Sequence, residues 1–196
     1  MKTVAVLSVA RSDWGILRPL CARLKKQESL RLGLIAAGAH GSALYGETLE
    51  EIRADGFEPD ATLDLVPADD RPESVAEVMG RTTAALAPAL SRLRPDVLIA
   101  LGDRAEMLAA ALAAVPLLIP IAHIGGGATT LGAIDDTFRH ALTKLAALHF
   151  VETERHRDMV LRLGEEPWRV TVTGALGLDN LAGFTPTERV DGDDLP

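Results

Sequence analysis

The residues of this 196-residue chain best suited to acid–base chemistry follow directly after apolar runs. "LIALGDRAE" delivers Asp103 and Arg104. "IAHIGGGATTLGAIDDTFRH" delivers His123, the glycines Gly125, Gly126 and Gly127, the adjacent Asp135 and Asp136, and then Arg139 and His140. "SVARSDWG" supplies Arg11, Ser12 and Asp13, and "GAHGSALYG" places His40 in a glycine-rich loop. Two carboxylates can divide the work of acid and base when their surroundings push their pKa values apart. Consecutive glycines permit positive φ and close approach of a ligand to the backbone. Asp136, Arg139, His140 and Thr143 follow i, i+3, i+4, i+7 spacing, so they share one helix face, which is either an ion-pair stripe or the wall of a polar site. Simpler roles stand beside these. Ser12 or Asp13 can cap a helix, and Asp135 or Asp136 can cap the one that follows them. Asp103 can belong to a plain turn. His123 and His149 can be satisfied buried imidazoles, and His140 and His156 surface residues.

Glycine-rich turns also cradle phosphates, but neither nucleotide fingerprint is met. A G-x-G-x-x-G reading from Gly125 lacks the third glycine and comes too late in the chain, and no Walker lysine is present. The five histidines lack a short ligand spacing and the one cysteine, Cys21, cannot form a thiolate cluster, so no metal site is expected.

The elements that must position these residues alternate from end to end. Apolar runs at 3–10, 30–38, 61–66, 96–103, 118–125, 148–153 and 169–174 read as strands. Amphipathic stretches at 15–27, 47–55, 74–93, 105–114, 136–147 and 154–163 read as helices, with Pro88 expected to kink or divide the longest. Strands that are apolar almost throughout are covered on both faces, which indicates a parallel sheet between helix layers. The predicted class is therefore a doubly wound, mostly parallel α/β fold. Ligands of such sheets bind beyond the carboxyl ends of the strands, where the polar residues above gather. The segment 184–196, "FTPTERVDGDDLP", is acidic and aperiodic and reads as a linker or tail.

Composition narrows the partners. The net charge of −8 argues against nucleic acid or an anionic membrane as the main target. The apolar stretch "LAAALAAVPLLIPIA" is interrupted by Pro116 and Pro120 and falls short of the roughly 20 residues of a membrane span. A single cysteine excludes an internal disulfide and fits a cytoplasmic protein. Aromatics are only 4% of residues, so the core must be built from Leu, Val, Ile and Ala.

The ordered set "RSDWG", "LGDRAEMLAAALAA", "IPIAHIGGGATTLGAIDDTFRHALTKLAALHF", "RLGEEPWRV" and "TGALGLDNL" resembles the hydrolysing UDP-N-acetylglucosamine 2-epimerases over about residues 1–182. The resemblance implies the first, Rossmann-like lobe (1–183) of a two-lobed fold shared with glycosyltransferase-B-type enzymes, with a second lobe absent and 184–196 as the start of the crossing linker. It implies a UDP-N-acetyl sugar as substrate and no cofactor. The C2 proton is removed, UDP departs from C1, and water adds to the resulting glycal to give a free N-acetylmannosamine-like sugar for sialic-acid-type biosynthesis. By motif match Asp103, Asp135 and Asp136 become catalytic. Arg11, Arg104, His123, Gly125, Gly126, Gly127, Arg139 and His140 become substrate-binding. A homo-oligomer, or association with a C-terminal lobe, is implied as well. One departure bears on activity: where the family writes H-I-E/H-G-G-E, this chain has Gly125 and Ala128. A missing acid or base costs about 10²–10⁴-fold, so a catalytically degenerate lobe that binds a nucleotide sugar or a partner is the competing expectation. A glycosyltransferase-like lobe is the third, and the paired aspartates speak against it.

Overall fold

The structure is a computed structural model that describes residues 1–42, 46 and 48–181. The expected tail at 184–196 lies outside the described residues, as does most of the loop after His40. Seven strands form one parallel sheet: β1 (Lys2–Ser8), β2 (Leu30–Ala36), β3 (Ala61–Thr62), β4 (Val97–Leu101), β5 (Ile121–Ile124), β6 (Leu148–Val151) and β7 (Val170–Val172). Their order is β3-β2-β1-β4-β5-β6-β7, every neighbouring pair parallel. Among the described residues six α-helices connect them: α1 (Arg11–Lys25), α2 (Thr48–Ala54), α3 (Pro72–Leu93), α4 (Ala105–Ala114), α5 (Asp135–Leu145) and α6 (Glu154–Arg162).

The strand sequences explain the layering. On β1, Val4 and Val6 point to one face and Ala5 and Leu7 to the other, and all four are buried. Val4 and Val6 join Trp14, Leu17 and Cys21 of α1 and Ile52 of α2 in one core. Ala5 and Leu7 join Leu86 and Leu90 of α3, Met107 of α4 and Leu142 of α5 in the other. The chain moves outward from β1 to β3, then returns beside β1 and moves outward the other way, and right-handed crossovers put the two sets of helices on opposite faces. The strand order reverses between β1 and β4. Open sheets of this kind form their ligand crevice at that reversal.

Three local expectations are corrected. Pro88 does not divide α3, which runs unbroken from Pro72 to Leu93. Ala84 and Pro88 are both exposed, so the carbonyl deprived of its partner faces water. Neither Ser12 nor Asp13 caps α1, which begins four residues earlier than expected with Ala10 at the N-cap. Asp13 instead reaches back from the first turn to accept the Val9 N–H at 3.3 Å. Neither Asp135 nor Asp136 caps α5: Ile134 holds the cap position and both aspartates lie in the first turn, where they complement the helix dipole. No helix among the described residues is long and apolar enough to cross a membrane.

Candidate functional site

Gly102 ends β4 with φ +73°, a left-handed turn that suits glycine and lifts Asp103 out of the sheet. Its N–H donates to the Ile124 carbonyl at 2.8 Å, so the β4 turn stays tied to the end of β5. Asp103 there meets the Arg139 guanidinium of α5 in an ion pair. Arg139 also pairs with Asp136 at 2.6 Å, one helical turn back. Its Nη groups also reach the Ala128 carbonyl at 2.9 Å and the Thr130 hydroxyl at 3.0 Å, while the buried Nε has no partner among the described residues. Asp136 additionally accepts the Thr130 N–H at 2.8 Å, which fastens the loop after β5.

Arg139 is 7% exposed at its side chain, whereas Asp103 and Asp136 are 24% and 25% exposed. The guanidinium is thus a buried post and the two carboxylates stand between it and solvent. Asp103 is gripped through Oδ2 only, and its other oxygen has no hydrogen-bond partner among the described residues. A carboxylate held on one oxygen and open on the other can accept a proton from a ligand in the crevice.

Arg104, the residue after Asp103, turns towards β1. It contacts Asp13 and the Ser12 hydroxyl, both at 3.4 Å. This brings the ends of β1 and β4 together at the reversal in strand order. Burial raises the Asp13 carboxyl above its ordinary value, and the positive charge of Arg104 only partly offsets the effect. Arg11 points elsewhere. It pairs with Glu51 at 3.1 Å, beside a groove of about 460 Å³ between α1 and α2 that Trp14, Asp55 and Asn180 also line.

The glycine run is packed more tightly than a ligand cradle. Gly126 and Gly127 are buried. A Cβ on Gly126 would stand 3.1 Å from His123 Nδ1 and 3.2 Å from the Thr143 hydroxyl. Gly127 has φ +80°, and a Cβ there would run into the His156 carbonyl group, 2.8 Å from its carbon. These two glycines let β5, α5 and α6 close on one another. Gly125 lies against the Gly102 backbone, at 3.7 Å from a notional Cβ to its Cα. His123 is fully buried, so its ring presents no surface to a ligand here. His140 is half-buried, and its Nδ1 has no partner among the described residues.

Asp103, Asp136 and Arg139 therefore come together. Asp135, adjacent in sequence, is half-buried in the first turn of α5 and does not join the Arg139 cluster. Sequence reasoning missed Thr130, which carries no signature of its own, and the pairing of Asp13 with Arg104, which a two-residue motif at each of two strand ends could have suggested. Among the described residues no cluster of three or more His, Cys, Asp or Glu could hold a metal ion.

A parallel α/β lobe with an arginine-anchored pair of carboxylates at its strand ends is the class these observations define. The sequence matches the UDP-N-acetylglucosamine 2-epimerase family over residues 22–193, so the chain belongs to that family. It is 35% identical over 189 residues to the UDP-N,N'-diacetylbacillosamine 2-epimerase (hydrolyzing) of Legionella pneumophila, covering 96% of this chain and 50% of that protein. It is 38% identical over 175 residues to the GDP/UDP-N,N'-diacetylbacillosamine 2-epimerase (hydrolyzing) of Campylobacter jejuni, covering 89% and 45%. The chain thus spans about half the length of the curated relatives it matches. The fold agrees with a solved UDP-GlcNAc 2-epimerase from Neisseria meningitidis bound to UDP-GlcNAc, at TM-score 0.81 and 23% identity, covering 93% of this chain and 48% of that one. It is the fold of the N-terminal lobe of a two-lobed, glycosyltransferase-B-like architecture.

Proposed function

We propose that this chain is the N-terminal lobe of a hydrolysing nucleotide-sugar 2-epimerase that converts a UDP-N-acetyl sugar to its free 2-epimer and UDP. The observation that carries this reading is the meeting of Asp103, just past β4, and Asp136, in the first turn of α5, on Arg139. Removing a proton from a carbon acid and expelling a diphosphate requires a base and an acid in fixed positions. Asp103, part-exposed and held through one oxygen, is the candidate base or acid on this lobe; Asp135 and Asp136 stand as its counterparts. Arg104 lies at the β1–β4 reversal, where a diphosphate would need a positive charge. Relatives named for diacetylbacillosamine and for polysialic acid biosynthesis favour a 2-acetamido sugar nucleotide. A reducing cytoplasm fits the free, buried Cys21, and a second lobe or a further copy of the chain would complete the cleft.

A second reading has its own support. Ala128 offers only a backbone carbonyl to Arg139, at a position where the family carries a glutamate. A lobe lacking that side chain can hold a nucleotide sugar without turning it over. The two readings separate in one experiment. The chain, alone and supplemented with the C-terminal half of a related epimerase, is incubated with UDP-GlcNAc and with UDP-N,N'-diacetylbacillosamine, and UDP release and binding are both measured. Release that falls about 10²–10⁴-fold in Asp103→Asn supports the enzyme. Saturable binding without release supports the binding lobe, and absence of both rejects the pair.

A further inference from the structure

His123 is a member of the candidate site by sequence, yet it is sealed inside the protein, 0% exposed, on the α5 side of β5. Its two ring nitrogens have different partners. Nε2 lies 2.8 Å from the Gly102 carbonyl, which can only accept, so Nε2 carries the proton and donates. Nδ1 is then the acceptor and faces the Thr143 hydroxyl at 3.2 Å. That hydroxyl has one proton to share between Nδ1 and the Arg139 carbonyl, 2.9 Å away. The ring edge packs on Gly126, where even a methyl group would come within 3.1 Å of Nδ1. One imidazole therefore touches the turn that presents Asp103, the floor of the glycine run, and the helix turn that carries Arg139.

We propose that His123 is a positioning residue: a sealed bracket that fixes the Gly102–Asp103 turn against α5, so that Asp103 and Arg139 stay in contact. It acts through other groups and does not touch substrate. The bracket is a claim about geometry and stands without the epimerase reading; only its value for catalysis rests on that reading. Protonation would put a charge into this sealed site without adding a contact the neutral ring needs, since the Thr143 oxygen could accept from Nδ1–H while its own proton goes to the Arg139 carbonyl. The protein environment opposes that change. Burial, with smaller contributions from His149 and Arg139, lowers the His123 pKa to about 4 even though the Gly102 carbonyl pulls the other way.

The test uses the full chain and nitrogen-15 NMR, with no ligand. In the wild type, the His123 ring should be the Nε2–H tautomer from pH 8 to pH 5, and the Arg139 Nη protons should exchange at least tenfold more slowly than those of an exposed arginine. His123→Gln, which can keep a donor near the Gly102 carbonyl, should retain most of that protection. His123→Met, similar in length but without a donor, should lose it about tenfold while the circular dichroism spectrum stays native. An Nδ1–H tautomer, titration near 6.5, or unchanged Arg139 protection in a folded His123→Met protein overturns the proposal. If His123→Met does not fold, the wild-type tautomer and titration still decide it. A wild-type release of UDP that fails while the tautomer and Arg139 protection hold would refute the epimerase reading and leave the bracket intact.

Discussion

His123, His40 and His149 are all buried, and burial lowers the pKa of each. His40 sits between the Ser8 hydroxyl at 2.8 Å and the Thr48 hydroxyl at 2.9 Å, so its ring is satisfied without a charge. His149 contacts Glu165, which opposes the effect of burial without overcoming it. A histidine whose folded pKa is depressed binds fewer protons in the native chain than in the unfolded one. Its stabilisation is complete above about pH 6.5 and is lost as the pH falls towards the folded value. For His123, with a folded value of about 4, roughly 2 kcal/mol should be gone by pH 5. Urea unfolding at pH 7.5 and pH 5 measures this, and His123→Gln should flatten the dependence. Equal stability of the wild type at both pH values would contradict the assignment. Asp13 works in the opposite sense, since a carboxyl whose folded pKa is raised favours the folded chain as the pH falls through that value.

Helix α1 contains Pro19, which lacks the N–H that would have bonded to the Gly15 carbonyl one turn back. That carbonyl is taken instead by the Asn180 side-chain amide at 2.8 Å, from the 3-10 segment Leu176–Leu181 that follows β7. Arg18 contacts the same asparagine at 3.4 Å. The gap in the helix thus becomes the point where the end of the described chain docks. Asn180→Ala should cost about 0.5–1.5 kcal/mol, the usual net value of one hydrogen bond. In a Pro19→Ala background the cost should shrink, because the helix then satisfies Gly15 itself. A double-mutant cycle by urea denaturation reads the coupling, and additive effects would dismiss it. The same element shows what sequence can reveal. Apolar runs and amphipathic stretches locate all seven strands and six helices because those patterns follow from layering. Helix starts are less legible: α1 and α5 begin with Ala10 and Ile134 at their caps, neither of which is a recognised cap residue. The Asp136–Arg139 pair follows directly from i, i+3 spacing, whereas the ion pair to Asp103 is a tertiary contact between the end of β4 and α5 that no local pattern encodes. Nor does a run of glycines state whether its open space will hold a ligand or, as with Gly126 and Gly127, a neighbouring backbone.

Over the whole molecule, the sheet separates two large cores, with a small third cluster of Val151, Val160 and Val170 at its β7 end, and the one cysteine lies in the core beneath α1. Cys21 is fully buried and its thiol is pushed up to about 12 by burial. The thiolate is the reactive form, so a thiol reagent should leave the native protein untouched at pH 8 and react stoichiometrically once the chain is unfolded. Its labelling rate should follow global opening as urea is raised; fast labelling of the native chain would show that α1 separates from the sheet on its own. The gathering of polar residues at one edge was readable beforehand because a parallel sheet sends every carboxyl end the same way. The positively charged post between Asp103 and Asp136 adds a further consequence. Neither acid is independent of the other, since each shares its counter-ion. Loss of either would leave Arg139 overcharged and tilt it towards the survivor, so among descendants of such a chain the three side chains should be kept or surrendered as a set.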